Sequence, residues 1–348
     1  MDHIVLPFGD RHTLLSFDKG ELTPLSTFPL FPLSSKVEIS GGFLVTFAAC
    51  KSALIVQDWL QTGRVGLPEI IELPKGVIGE SILVTNEDEL FVGGKSDRPW
   101  LGRMRLQDPI RSWVSVLSDK DLENAYEKGI DALSLSFGGE LGPRIIAYDN
   151  LMLPLYAWII DKTQRGWSNP KRVEIEPEYT YELIISAYAT DEYVYLITRG
   201  VNHGKTMQFL RRFDKNMHES SLLWAETKND CWSKEFEDGK MYQSGGEWLQ
   251  VTATEDGVVL IAAGSAGLGI YNPTNCEINY LGQEGQSARF ISLIDLDSSV
   301  AVAFENTDRP LPYQWEIEVF STNGSAKFSY MQLNPKIPSQ LSNSLPAK

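Results

Sequence analysis

Four acidic residues recur along the chain at intervals that could assemble a metal-binding site. They are Glu80, Asp131, Glu182 and Glu247, and successive members are separated by 51, 51 and 65 residues. Carboxylates that a repeating fold brings together raise one another's pKa values or share a hard cation through oxygen. If the four acids form a metal site, the expected cofactor is Ca²⁺ or another divalent cation. The competing interpretation is that each acid is solvated at the start of a strand and the chain needs no cofactor.

A second set of residues is suited to protein recognition. The tripeptide Asp-Arg-Pro occurs at 97–99 and again at 308–310, each time close to an aromatic residue. Arginine and aromatic side chains anchor many protein interfaces, although Asp-x-Pro is also an ordinary turn sequence. With a third loop of similar character, the candidate partner-binding residues are Arg98, Trp100, Arg199, His203, Lys205, Arg309 and Tyr313.

No other pattern in the sequence predicts a reaction. The four histidines lack metal-ligand spacing, and a Gly-x-Ser-x-Gly nucleophile motif is absent. The glycine-rich stretch at 264–269 lacks the Lys and Ser/Thr of a phosphate loop. We therefore expect no catalytic residues outside the metal alternative.

Composition excludes several classes of protein. Of the 348 residues, 43% are hydrophobic, which is enough to build a core. The net charge of −15 and the lack of a long basic run disfavour nucleic-acid binding. Three widely spaced cysteines are typical of reduced thiols, and we find neither a leader sequence nor an apolar run of membrane-spanning length. We expect a cytoplasmic protein with no membrane partner.

A recurring hairpin indicates the elements that position these residues. A short strand ends at a polar turn residue and a second strand follows, at positions 18, 58, 107, 161, 214, 272 and 321. A second hairpin with an acidic turn precedes most copies, for example at 84–92, 189–196, 253–260 and 294–302. Two hairpins in a period of about 50 residues make one four-stranded unit.

This period and pattern resemble the β-propeller superfamily, in particular divergent WD40-like and regulator-type propellers, without the Gly-His and Trp-Asp signatures of true WD40 repeats. The resemblance implies a ring with a central channel and two loop faces. Propeller lactonases hold a metal at the channel, which would make the four acids its ligands, although no Asn pair or His aligns beside them.

We predict an all-β fold consisting of a single β-propeller of seven blades with about four antiparallel strands each, or alternatively six blades. The blades are expected at about 1–33, 34–75, 76–118, 131–177, 181–226, 246–285 and 288–333, with a flexible tail at 334–348. Residues 1–28 supply only three strands, so the first blade is either three-stranded or completed by the tail. Two insertions interrupt the period, a short helix at 119–128 and a polar segment at 226–246.

Three functional hypotheses follow. The first is a non-enzymatic interaction scaffold that docks a protein partner, of unknown identity, on the loop face carrying the Asp-Arg-Pro sequences. The second is a metal-dependent, lactonase-like hydrolase or isomerase at the channel mouth. The third is a sensory propeller that binds a small ligand and belongs to a larger regulator. We expect the acids of the opposite face, in the turns of the second hairpin, to be solvated.

Overall fold

The structure, a computed structural model, describes most of the chain as short β-strands. The described residues are 2–8, 11–18, 21–29, 37–40, 42–48, 50–60, 64–85, 87–122, 129–130, 132–138, 142–148, 155–177, 180–218, 220–227, 234–237, 240–243, 246–254, 257–282, 286–294, 299–306, 315–321 and 329–331. These residues contain no helix. Accordingly, this part of the chain has no helix of the length and apolar character needed to cross a bilayer.

The strands of the described ranges form seven antiparallel sheets and a separate hairpin. The first sheet contains β1 (Asp2–Phe8), β2 (Arg11–Asp18) and β3 (Glu21–Pro29). The second contains β4 (Val37–Ser40), β5 (Phe43–Phe47), β6 (Ala53–Leu60), β7 (Arg64–Val65) and β8 (Glu69–Glu72). The third contains β9 (Ile78–Val84), β10 (Glu89–Lys95), β11 (Pro99–Arg105) and β12 (Val114–Ser115). The fourth contains β13 (Ala132–Gly138), β14 (Gly142–Tyr148), β15 (Leu155–Thr163), β16 (Gly166–Trp167) and β17 (Lys171–Ile175).

The second half of the chain continues the series. The fifth sheet contains β18 (Thr180–Ala189), β19 (Tyr193–Asn202), β20 (Lys205–Asp214) and β21 (Ser220–Thr227). The separate hairpin is β22 (Lys234–Glu237) with β23 (Lys240–Gln243). The sixth sheet contains β24 (Gln250–Ala253), β25 (Val259–Ala262), β26 (Leu268–Asn272) and β27 (Glu277–Leu281). The seventh contains β28 (Gln286–Ile294), β29 (Ser299–Asn306), β30 (Trp315–Ser321) and β31 (Ser329–Met331).

Each sheet is a meander, and the sheets are arranged around their first strands. β4 packs against both β1 and β9, and the series continues through β13, β18, β24 and β28. This arrangement is that of successive propeller blades, and it confirms the predicted all-β class of four-stranded units. The blade boundaries and the number of blades in the closed ring stay predictions.

The buried apolar side chains form clusters between successive sheets. Between the third and fourth sheets, for example, Phe91 and Leu101 meet Tyr156, Trp158 and Ile160. Second strands contribute to the cores on both of their sides, so β25 is buried at all four positions and β10 at all but the last. These apolar second strands therefore lie between neighbouring sheets, as expected of strands that are buried on both faces.

The outermost strand of the second sheet has two different sides. Ile71 of β8 is only 8% exposed and belongs to the cluster shared with the third sheet. The next residue back, Ile70, is 69% exposed. Successive strand residues point to opposite sides. At this outermost strand, therefore, only the side of β8 that faces the third sheet is covered by other residues.

Among the turns that the structure describes, the sequence pattern holds with three exceptions, and residues 322–328, directly after Ser321, lie outside the described part of the chain. The side chains of Asp214 and Asn272 accept backbone N–H bonds from the residues two positions later, at 3.1 and 2.8 Å, which is why these residue types open the turns. Asp58 and Asp161 instead lie within β6 and β15, which continue for two further residues. Asp18 ends the second strand of its sheet and not the third.

The two insertions are described in part. Residues 119–122 form a hydrogen-bonded turn, and the remainder of the predicted helix, 123–128, lies outside the described residues. The segment 226–246 contains the β22–β23 hairpin, which its polar sequence did not predict. The C-terminal tail, and hence any strand that it adds to the first sheet, lies outside the described residues.

Candidate functional site

Three of the first strands contain a β-bulge with a charged residue at the bulge. Glu80 is the extra residue in β9, Glu182 belongs to the bulge in β18, and Arg289 is the extra residue in β28. A bulge leaves its extra residue out of the ladder and redirects the side chain. The sequence did not predict these bulges.

Each described acid of the predicted metal set contacts a cation of the protein. Glu80 Oε2 lies 2.8 Å from Lys51 Nζ of the second sheet. Glu182 is fully buried and accepts bonds from Arg211 at 3.0 Å and Thr198 at 2.5 Å.

The sixth and seventh sheets continue this pairing. Glu247 Oε1 lies 2.8 Å from Arg199 Nη1, and Arg289 Nε lies 3.0 Å from Glu305 Oε2. Each of these described charged side chains therefore has an opposite charge beside it, in most cases from a neighbouring strand or sheet.

The described acids do not converge on one point. Among the residues that the structure describes, no group of three or more His, Cys, Asp or Glu side chains could hold a metal ion. Asp131, the remaining member of the predicted set, lies outside the described residues. The paired Glu80, Glu182 and Glu247 do not fit a shared hard cation, because their oxygens already neutralise protein cations.

The predicted partner-binding residues have different environments. The Trp100 indole packs at the edge of the core between the second and third sheets, in an edge-to-face pair with Trp113 at 5.5 Å. Arg199 pairs with Glu247 and donates to the Trp248 carbonyl at 3.1 Å. These two side chains hold the propeller-like units together and present little surface to a partner.

The other members of this set are more accessible. Arg98 is 48% exposed and forms a 2.8 Å ion pair with Asp119, which is itself exposed. His203 and Lys205 are exposed at a turn of the fifth sheet. Arg309 and Tyr313 lie outside the described residues.

The turn that carries His203 ends the longest described hairpin. The β19–β20 ladder has ten residue pairs, whereas β10–β11 has seven and β25–β26 has four. Three additional pairs correspond to about 10 Å of strand. His203 and Gly204 have φ values of 48° and 78°, as a two-residue type I′ turn requires, so the tip is tightly defined.

The opposite loop face holds a network that the sequence did not predict. Glu89 is almost fully buried and accepts hydrogen bonds from Lys162 at 3.3 Å and from the Trp167 indole, both in the fourth sheet. Burial alone would raise the pKa of Glu89, but the bond from Trp167 and the charge of Lys162 outweigh burial and hold this pKa below its usual value. The expectation that the acids of these turns are solvated is wrong for Glu89 and for the buried Asp88.

A second network closes the base of the 226–246 insertion. Tyr280 donates its hydroxyl to Glu226 at 2.7 Å and accepts a bond from the Trp248 indole at 3.0 Å, while Trp224 donates to the other Glu226 oxygen at 3.1 Å. Burial raises the pKa of the Glu226 carboxyl, and these hydrogen bonds offset only part of the effect. The network joins the two ends of the insertion.

Comparison with known proteins gives a fold but no family. No protein family and no curated protein sequence matches the chain. Among solved structures, Hsv2 of Kluyveromyces lactis is similar over 95% of this chain and 94% of its own, with a TM-score of 0.53 and 9% identity. The dihydro-heme d1 dehydrogenase NirN, in complex with DHE, matches over 95% of this chain and 73% of its own, with a TM-score of 0.52 and 11% identity.

A puromycin hydrolase is similar over 96% of this chain but only 54% of its own length, with a TM-score of 0.54 and 12% identity. These proteins contain β-propellers. The chain is a β-propeller. At such low identities the likeness concerns the fold alone, and the propellers it matches include enzymes as well as Hsv2.

In a propeller of meander blades, the β19–β20 turn and the turn at 96–98 lie on the same face. Both join the second and third strands of a blade, and antiparallel strands place equivalent connections at the same end. The Glu89 network lies at the other end, where the first and second strands of a blade are joined. The exposed β19–β20 turn and the buried Glu89 network thus lie on opposite faces of the propeller.

Proposed function

We propose that this propeller is a non-enzymatic interaction scaffold that docks a protein partner on the face carrying the β19–β20 turn. The observation that supports this proposal is the length of that hairpin, which exceeds the other described second-to-third-strand hairpins. A rigid ladder that ends in an exposed two-residue turn suits recognition, because little conformational entropy is lost when a partner binds.

The exposed charges near this face give the expected contacts. His203 and Lys205 flank the tip, and the half-exposed Arg98 lies on the same face. Lysine and arginine at the rim of an interface accelerate association with an acidic partner surface more than they add affinity. We therefore expect the partner to present acidic residues.

The experiment compares two charge reversals at the ends of one strand. Lys205 begins β20 and Lys215 follows its last residue, so both exposed lysines belong to the same hairpin arm but to opposite faces. Lys205→Glu is expected to remove the proteins that wild type captures from its native lysate, as measured by quantitative mass spectrometry. Lys215→Glu is the matched control and should retain them.

The proposal is wrong if Lys205→Glu and Lys215→Glu capture the same proteins as wild type. Thermal melting of both variants checks that the propeller is folded. If Lys215→Glu alone lost partners, the interface would lie on the opposite face of the propeller.

The seven-bladed ring is part of the same proposal. Seven successive sheets and the packing of their first strands support it. A metal-dependent hydrolase is a weaker alternative, because the described acids of its site are paired with cations. Elemental analysis of the purified protein tests that alternative directly.

A further inference from the structure

Tyr181 is an exposed aromatic residue in a left-handed backbone conformation. Among the residues that the structure describes, six non-glycine residues have a positive φ, and that of Tyr181 is 57°. The other five lie in turns between strands, whereas Tyr181 lies within β18. In this conformation the Cβ atom approaches the following carbonyl oxygen too closely, so the backbone of a bulky residue is strained.

The strain occurs at the β-bulge of β18. Two residues of this strand, Tyr181 and Glu182, lie opposite one residue of β19, Gly200. A bulge whose first residue is left-handed normally has glycine there, because glycine has no Cβ atom to clash. Tyrosine therefore occupies a position at which the backbone favours glycine.

The residue after Tyr181 fixes the bulge. Glu182 is fully buried and accepts hydrogen bonds from Thr198 at 2.5 Å and from Arg211 at 3.0 Å. Arg211 is itself buried and also donates to the Glu176 carbonyl at 3.3 Å. Since Glu182 is held inside, the ring of Tyr181 is directed to the solvent, and this residue is 66% exposed.

Burial within the protein does not offset the strain at Tyr181. Met217, with a φ of 59°, provides a comparison, because its side chain is 4% exposed and packs in the core shared by the fourth and fifth sheets. Burial of apolar surface compensates a strained backbone there, whereas the exposed ring of Tyr181 gains little of it. A strained residue without such compensation in the fold is typical of a functional site.

Tyr181 lies at the same end of the fifth sheet as the β19–β20 turn. The residue before it pairs with Val201, which is two positions from His203 in the turn. The spacing of residues and strands places the backbone of Tyr181 about 10 Å from the tip. Lys205, directly after the turn, is exposed and forms no ion pair with a described residue. One partner segment can therefore reach both the ring and this lysine.

We propose that Tyr181 is the aromatic anchor of the docking face and contacts an acidic protein segment that carries an apolar side chain. The apolar side chain would pack on the ring, and the neighbouring acidic residues would meet Lys205. Tyrosine is enriched among the residues that contribute most to interface affinity, and a fixed backbone reduces the entropy lost on binding. This inference rests on the proposed function and specifies the chemistry of the partner.

The first test is a photo-cross-link at position 181, with p-benzoylphenylalanine in place of Tyr181 in the full chain. The probes are three synthetic peptides: Gly-Asp-Glu-Phe-Glu-Asp-Gly, the same peptide with Ser for Phe, and the same peptide with Lys for every acid. The acidic Phe peptide is expected to attach about tenfold more than either of the others. Leu222, 40% exposed in β21 of the same sheet, is the matched control position and should show no such preference.

The second test separates the ring from the backbone strain. Tyr181→Ala removes the ring but keeps the Cβ atom, whereas Tyr181→Gly removes both. The Gly variant should melt about 1–3 °C higher than the Ala variant, because glycine relieves the strain. Both variants should bind the labelled acidic Phe peptide about tenfold more weakly than wild type, as measured by fluorescence anisotropy. Circular dichroism checks that each variant is folded.

Two results would overturn the inference. One is equal cross-linking of the three peptides at position 181, or cross-linking no stronger than at position 222. The other is an affinity of Tyr181→Gly for the acidic Phe peptide equal to that of wild type. The scaffold itself is judged separately. If Lys205→Glu loses captured proteins while Tyr181→Gly retains them, the scaffold stands and Tyr181 is not its anchor; if neither variant loses them, the proposed function fails as well.

Discussion

The third sheet meets its two neighbours by different means. Against the second sheet the core is apolar and is bordered by the edge-to-face pair of Trp100 and Trp113, while the charged pairs beside it, Lys51 with Glu80 and Arg111 with Glu69, are partly exposed to solvent. Against the fourth sheet an apolar core is bordered on one loop face by the network of Glu89, Lys162 and Trp167.

This difference predicts how the stability of each junction responds to pH. An apolar junction is stabilised by burial, which depends little on pH or on moderate salt. A junction bordered by a buried charge gains additional stability only under conditions that keep this charge paired. We infer that the stability of the second–third junction depends little on pH, whereas that of the third–fourth junction depends in part on the charge of the buried Glu89.

The largest effect is expected at the apolar junction. Ile71→Ala should lower the free energy of unfolding by about 2–4 kcal/mol, because the deletion leaves a cavity in the shared core. Ile70→Ala, its exposed neighbour in β8, is the control and should cost less than about 0.5 kcal/mol. Urea denaturation measures both, and equal costs would contradict the two-sided description of β8.

A smaller effect is expected from the charged border. Glu89→Gln should lower the free energy of unfolding by about 1–3 kcal/mol, since the variant removes the charge that neutralises the mostly buried Lys162. Glu87→Gln changes an exposed carboxylate that also contacts Lys162, and it should cost only a few tenths of a kcal/mol, on the order of other exposed pairs. If the two variants were equally stable, the border would not contribute to the junction.

The smallest effect is a dependence on pH. The folded-state pKa of Glu89 is lowered, so its contribution to stability is complete above the unfolded pKa of about 4.3 and is lost as the pH falls through the folded value. The stability difference between wild type and Glu89→Gln should therefore shrink below about pH 5. The difference between wild type and Ile71→Ala should stay constant over the same range, and a parallel decrease would point to global acid denaturation.

The local structure could be predicted where it depends on residues that are close together in the sequence. Asp214 and Asn272 accept bonds from backbone groups two positions later, so their turns could be predicted from the local pattern, and with them the meander and the fold. The side chain of Lys51, by contrast, reaches Glu80 from a different sheet. Such pairs depend on how the blades pack, which no local pattern contains.

The same reason explains what could not be predicted at the candidate sites. Glu182 occupies the predicted kind of position in its strand, but its burial against Arg211 depends on the register of a bulge. Trp100 follows an exposed turn in the sequence and yet packs on Trp113, thirteen residues later in the chain.

The placement of the apolar clusters between sheets has a consequence for synthesis of the chain. A blade that has just left the ribosome has one covered side at most, because the residues that cover its other side belong to the next blade to be translated. The growing chain therefore exposes an apolar surface on its most recently synthesised blade. Translation pauses or chaperones that act at blade boundaries would protect that face until its partner emerges.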